Sequence, residues 1–461
     1  MTHSPDNVMT AAERRSSGLL AAVYALRLLG IFLLLPVFSL YAADLPGGDN
    51  KTMVGLAFGI YGLTQAVLQL PLGMASDRFG RKKVIYFGLA LFAAGSFLSA
   101  YADNLTLLIW ARALQGAGAV SAAVVALLAD LTRDEVRTRA MAMVGLSIGL
   151  TFSVSLVLGP LLERHIGVPG IFTLTGVLIL AAMALIHFAV PDPVTLQTHD
   201  DAEAKLGLLP AVLKNRELWR LNFGIFALHC AQMALFVALP LVLVNHFQLA
   251  DNTHWKLYLP VTLIGMVLML PAVIIGETRH QLKPLLLGAI VLLALAQFGL
   301  AQTAFGLWGI FIALALYFVG LNVLEAILPS WVSKISPPRL KGTAMGVYNT
   351  AMSLGLFVGS LMGGVLLHYY GTAAVFYFCS ALMVLWAAVA LFSVAPRAVK
   401  TLLFSVPEPW QNHGEALNCR LAALAGVAEA AISDNQQTLY LKVLPRDFDE
   451  AALKSILAES P

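Results

Sequence analysis

Charge is what this chain has least of. Only 12% of its 461 residues are charged, 29 basic and 26 acidic. A soluble chain of that length carries roughly a quarter, so a water-soluble globular protein is excluded. Cysteine is almost as scarce. Cys230, Cys379 and Cys419 are scattered, which leaves no disulfide framework and no C-x-x-C metal site. No phosphate loop, nucleophile motif or metal cluster appears, so nothing points to an enzyme. No metal and no cofactor are expected. The net charge of +3 identifies no partner, and no nucleic-acid partner is expected.

What fills the chain instead is apolar. Hydrophobic residues make up 59% of it, and the mean hydropathy is +0.80. Twelve apolar runs recur, near 18–42, 52–75, 84–102, 105–130, 140–163, 168–190, 219–246, 256–276, 284–303, 305–333, 342–368 and 372–395. Each has about the 20 residues that cross a ~30 Å hydrocarbon core as a helix. The expected fold is all-α and polytopic, with the lipid bilayer as a partner. The first run reads as an uncleaved helix rather than a signal peptide, by its length and the spans that follow. Basic residues crowd alternate loops, among them Arg78, Arg81, Lys82, Lys83, Arg133, Arg137 and Arg139. The opposite loops hold only Lys51, Arg164 and Lys256. Lys and Arg accumulate on the cytoplasmic side of a bilayer, which predicts both termini there.

The most informative connection joins the second and third runs. From Gly73 it reads G-M-A-S-D-R-F-G-R-K-K, placing Asp77, Arg78, Gly80, Arg81 and Lys82 in one short loop. Gly73 and Gly80 carry no Cβ and so permit a tight reversal. This order of Gly, Asp and Arg after an apolar helix resembles motif A of the major facilitator superfamily. The fourth run holds a second segment, Arg112-Ala-Leu-Gln115-Gly116-Ala-Gly, which resembles that family's motif B. An arginine inside a span costs at least ~2.5–3.5 kcal/mol unless it finds partners. Arg112 is therefore read either as a coupling residue or as a helix crosslink whose glycines permit close approach. Asp130 ends that run, where Arg81 can reach it.

Other polar residues sit inside spans. Arg27 lies about ten residues into the first run, and Pro36 bends that run further on. Gln65 and Gln69, four apart, share a helix face, and they read as a cavity wall or as interhelical hydrogen bonds. In the fifth run Gly149 precedes Gly159-Pro160. The pattern partly resembles the antiporter motif C, with Ser155 and Leu162-Glu163 departing from it, and a simple kink is the other reading.

Residues 191–217 form a long polar connection between two six-span halves, 1–190 and 218–396. The second half echoes the first about 200 residues on: Leu270-Pro271 and Glu277 stand where Leu70-Pro71 and Asp77 stand, and His229 where Arg27 stands. Glu325 lies inside the tenth run, with Asn322 on the same face. A buried carboxyl holds its charge at a cost, which suits it to exchanging a proton, and His229 changes charge near neutrality. These two are the expected proton-handling pair. The alternative is a static pair of Glu325 with a base such as Arg27.

Residues 397–461 read as soluble: a strand 399–406, a helix 414–424, strands 427–433 and 438–444, and a helix 447–458. The order resembles a ferredoxin-like domain of the heavy-metal-associated type lacking its last strand and its thiol pair, so metal is not expected.

The family resemblance implies two six-helix bundles around a cavity that opens alternately to each side. It implies a proton-driven exporter of small lipophilic or amphipathic molecules in a bacterial inner membrane, with protons and a small-molecule substrate as partners. Self-association through the tail is a further expectation. An importer or facilitator of the same fold is the alternative, and a non-transporting sensor the reading from another class. The cost of burying Arg27, Arg112, His229 and Glu325 speaks against the sensor.

Overall fold

The structure is a computed structural model, and it describes residues 9–192, 206–279, 281–302, 304, 306–337, 340–394, 400–410, 413–432, 438–443 and 448–458. Its helices are α1 (Ala11–Phe32), α2 (Phe38–Asp44), α3 (Lys51–Phe79), α4 (Arg81–Ala100), α5 (Leu105–Ala117), α6 (Ser121–Asp130) and α7 (Asp134–Ala189), then α8 (Leu209–Lys214), α9 (Arg216–Asn245), α10 (Trp255–Thr278), α11 (Leu282–Leu300), α12 (Gly306–Ile335), α13 (Lys341–Tyr370) and α14 (Thr372–Leu391).

Polar caps start the apolar helices. Thr10 and Glu13 form a reciprocal capping box at α1. The Asn50, Asn104 and Asn215 side chains accept first-turn N–H groups at α3, α5 and α9. Among the described residues, eleven helical segments are long and apolar enough to cross a membrane. One of them runs to Ala189 and holds two crossings, because Gly167 at φ 66° breaks the helical path. The protein therefore makes the twelve crossings expected.

Two runs differ from the simple expectation of one helix each. The first is divided by the irregular stretch between α1 and α2, where Pro36 lacks the N–H that would continue the ladder. The fourth, expected as one span over 105–130, breaks between α5 and α6. There Gly118 passes so near α4 that a Cβ on it would stand 2.5 Å from the Gly88 carbonyl oxygen.

Within the first half α1 packs on α7, α3 on α5, and α4 on both α5 and α7. Within the second, α9 packs on α13 and α14, and α12 on α10 and α11. The halves meet through α3 against α13 and α7 against α10. The α3–α13 seam is very close along one stretch. A Cβ at Gly55 would lie 2.3 Å from Ser360 O, and one at Gly62 would lie 2.7 Å from Ser353 O. Toward the other end, which carries the basic loops and is called the basic end below, both helices line a cavity of about 70 Å³.

The tail holds β1 (Lys400–Ser405), α15 (Gly414–Ala422), β2 (Val427–Ile432), β3 (Thr438–Val443) and α16 (Glu450–Ala458). β3 lies between β1 and β2, antiparallel to both, with Leu402 opposite Leu441 and Ile432 opposite Leu439. Alternation turns Leu439, Leu441 and Val443 to one face, where they form a core with Trp410, Leu417 and Leu453. The expected strand and helix ends at Val399, Ser433, Leu444 and Asp447, the polar turn at 434–437, the boundary at 396–397 and residues 193–205 of the 191–217 connection lie outside the described residues.

Candidate functional site

At the basic end, α3 ends and α4 begins on the same residue. Gly80 adopts φ 98° and ψ 138°, a backbone shape that a side chain would strain. The reversal places Arg81 beneath the end of α3. Its guanidinium is buried and pairs with Asp77, donates from Nε to Asp130 Oδ2 at 2.9 Å, and donates from Nη1 to Ser76 Oγ at 3.0 Å. Ser76 in turn donates to the Gly73 carbonyl at 2.6 Å. Asp130, at the end of α6, is also fully buried at its side chain. Arg81 therefore ties three helix ends together. Lys82 reaches the other side of the half, donating to Val190 O at 2.7 Å and pairing with Asp192 at 2.9 Å. Arg78 lies over the Phe79 ring. Asp77 also borders the cavity, facing Gly342 and Gly346 in the first turns of α13.

A second cluster lies in the middle of the first half. Arg27, only 2% exposed, donates to Ser121 Oγ at 2.6 Å, to Tyr61 OH at 2.9 Å and to Gln65 Oε1 at 3.0 Å. The Gln65 amide then donates to Ser353 Oγ at 3.1 Å, which carries the chain of hydrogen bonds across to α13 in the other half. Arg112, 1% exposed, donates to Gln115 Oε1, and Gln115 donates to Ser96 at 2.9 Å. The Arg112 guanidinium also stands over the rings of Tyr61 and Phe38, at 5.1 and 5.6 Å. Such contacts are favourable for a cation, more so when desolvated. Gly116 permits this arrangement, since a Cβ there would meet Tyr61 O at 2.3 Å. Both arginines thus flank one tyrosine.

The second half holds the ionisable pair. His229 Nε2 lies 3.2 Å from Glu325 Oε1, and the other ring nitrogen lies 3.2 Å from Ile225 O. A proton on Nδ1 bonded to that carbonyl leaves Nε2 to share a second proton with the carboxyl. Glu325 is 40% exposed at its side chain while His229 is nearly buried. Tyr317 and Tyr348 lie within electrostatic reach of it. The structure thus brings Glu325 to His229 rather than to Arg27.

The remaining expected residues separate. Gln69 is buried and lines the cavity, whereas Gln65 makes interhelical bonds, so the two glutamines divide the readings between them. The Asn322 amide nitrogen has no hydrogen-bond partner and packs close to Gly265 of α10. Gly159 presses on α1, where a Cβ would stand 2.5 Å from Leu33 O and 2.9 Å from Pro36. Gly149 has open space around it. Tyr61, Ser121 and Ser353 complete the Arg27 cluster, and sequence reasoning missed them. Tyr61 falls four residues before Gln65 on the same helix face, a usable signal. Ser121 and Ser353 carry none, since small hydroxyl residues are ordinary in spans.

The Major Facilitator Superfamily model matches residues 20–359 and 278–428. The chain is 40% identical over 441 residues to the inner membrane transport protein YajR of Escherichia coli (strain K12), covering 95% of this chain and 96% of that one. It is 28% identical over 368 residues to the multidrug resistance protein MdtH of Aeromonas salmonicida, covering 78% and 90%. Among solved structures, the human organic anion transporter MFSD10 (TETRAN) aligns with a TM-score of 0.62, covering 83% of this chain and all of that one. Its sequence is 21% identical, so that likeness is one of fold.

Proposed function

The chain belongs to the Major Facilitator Superfamily, and from that premise we propose that it is a proton-coupled exporter of small amphipathic molecules. It is a multi-pass membrane transporter, not an enzyme. The basic loops support a cytoplasmic basic end with both termini there, and the likeness to YajR supports the bacterial inner membrane. The name of MdtH supports the export direction.

One observation carries the coupling: the His229–Glu325 pair at 3.2 Å, mid-helix, with the carboxyl partly exposed. A proton shared there lowers the cost of exposing the pair to one side and then the other, while substrate takes the opposite course. Arg81, Asp77 and Asp130 act as the conformational switch, and the Arg27 and Arg112 cluster forms the polar wall of the substrate path. The bundles 1–190 and 218–396 would rock about the α3–α13 and α7–α10 seams. The tail, with its split β-α-β order, suits a ferredoxin-like module that modulates the rocking, as a dimer or by docking on the basic loops.

The test is Glu325→Gln in proteoliposomes with an imposed pH gradient. Gradient-driven transport should be lost, while downhill exchange of substrate and the melting temperature are retained. Gradient-driven transport at the parent rate would rule out the carrier role.

A further inference from the structure

At the basic end of the second half, the charges of one surface patch do not balance. The end of α8, the first turns of α9 and the start of α11 carry Lys214, Arg216, Arg220 and Lys283, four cations against the single acid Glu217. Two of the four are already engaged. Arg220 pairs with Glu217 and donates to Phe392 O at 2.6 Å, and Lys283 donates to Leu391 O at 2.8 Å, so both hold the last carbonyls of α14. Cations are stabilising there, at the negative end of a helix dipole. Lys214 and Arg216 differ. Both are exposed, and among the described residues neither forms a salt bridge. Arg216 is also the first residue of α9, where the dipole is positive and a further positive charge is unfavourable.

Apolar side chains lie beside these two charges. Trp219 is 56% exposed, and its ring stacks on Phe223 at 5.9 Å. Leu213 of α8 and Phe392 at the end of α14 are exposed as well. Arg216 and Phe223 precede His229 on α9 and lie about 140° and 120° around the helix from it. The strip is therefore turned away from the proton-handling pair. A tryptophan one turn inside a pair of cations suits a membrane surface, where such rings settle at the level of the headgroups. Glu217 also accepts the Val394 N–H at 3.0 Å, which ties the patch to the point where the chain leaves α14 for the tail.

We infer that this patch binds an anionic phospholipid, with the phosphate against Lys214 and Arg216 and an acyl chain along Trp219 and Phe223. The phosphate supplies the anion that the start of α9 lacks, and the chain covers the exposed rings. A zwitterionic lipid offers the same apolar contact, but its own cation stands beside its phosphate and offsets most of the attraction. The inference needs only that the helices cross a bilayer. It is independent of proton coupling and of the direction of transport.

The test follows Trp219 fluorescence in the full-length protein, reconstituted into phosphatidylcholine vesicles. A rising fraction of the lipid is replaced by dibrominated phosphatidylglycerol or by dibrominated phosphatidylcholine. Bromine quenches the rings that the lipid touches, and subtracting a Trp219→Phe preparation isolates this one. Each cation beside an anionic headgroup contributes a factor of about 5. Half-quenching of Trp219 should therefore need about a 5- to 30-fold smaller fraction of phosphatidylglycerol than of phosphatidylcholine. Trp308, 76% exposed at the start of α12 and so at the opposite end, should show equal midpoints in the same subtraction. Lys214→Gln combined with Arg216→Gln should bring the two Trp219 midpoints together. Equal midpoints on the parent protein, a similar preference at Trp308, or a preference that survives the double substitution overturns the inference. So does a Trp219 that neither lipid quenches, since the tail or a second copy of the chain would then cover the patch. The comparison on the parent protein stands even where the double variant fails to fold.

Discussion

Arg81 joins two acids, Asp77 at the end of α3 and Asp130 at the end of α6. Its guanidinium and the Asp130 carboxylate are both buried, so neither can turn to water when the other is removed. Removing one partner of such a buried pair costs about 3–5 kcal/mol. Arg81→Met is therefore expected to lower the melting temperature in detergent by several degrees, and Arg81→Met combined with Asp130→Asn to recover much of the loss. Equal melting of the single and double variants would show that the pair is not coupled. The partnership of Arg81 with Asp130 was legible in sequence, because an acid ends a span near a basic loop at a familiar distance. The pairing of Arg81 with Asp77 was less so, since Asp77 had a competing role facing α13. The Arg27 cluster was half legible. The charge inside an apolar run is conspicuous, but its partners Ser121 and Tyr61 lie 94 and 34 residues away and become neighbours only in the fold.

At the scale of elements, the twelve crossings were readable because each must bury an unbroken apolar stretch of about 20 residues. Their breaks were readable only where proline makes them. Gly118 ends α5 through a contact with α4, and no local pattern announces a neighbour's carbonyl. The fifth crossing shows the same division. Gly149 and Gly159 both fitted an antiporter-like pattern, yet only Gly159 has a close neighbour, with Leu33 O and Pro36 against it. A side chain there must push α7 away from the irregular stretch between α1 and α2. Gly159→Val should therefore cut transport at least tenfold or destabilise the protein by about 1–3 kcal/mol, the cost of overpacking. Gly149→Ala, in open space, should leave both transport and melting temperature near the parent values. Comparable losses at the two sites would mean that the pattern, rather than the contact with α1, matters.

Over the whole molecule, the duplication was visible in the 200-residue echo, while the seam between the halves was not. Gly55 opposes Ser360 and Gly62 opposes Ser353 across some 300 residues, and glycines in a span fit many packings. The tail was visible as alternating strands and is expected to modulate the rocking of the halves. Truncation after Pro396 should leave an inserted protein with residual transport, and complete loss in an inserted truncate would contradict that role. The rocking itself turns on Asp77. Here Asp77 is engaged with Arg81, and the α13 start lines the same cavity as Asp77. When the halves close at that end, the acid meets the positive end of α13. That contact is worth ~0.3–2 kcal/mol, or about a 2- to 30-fold bias toward the closed basic end. Asp77→Asn forfeits the bias while Arg81 keeps Asp130, so the fold should persist. Spin labels at Lys83 and Arg279, both exposed at the basic end of opposite halves, would report it once the exposed Cys419 is replaced by serine. The distance distribution should shift toward the longer population in Asp77→Asn, with slower transport and an unchanged melting temperature. An unchanged distribution, with transport at the parent rate, would remove Asp77 from the switch.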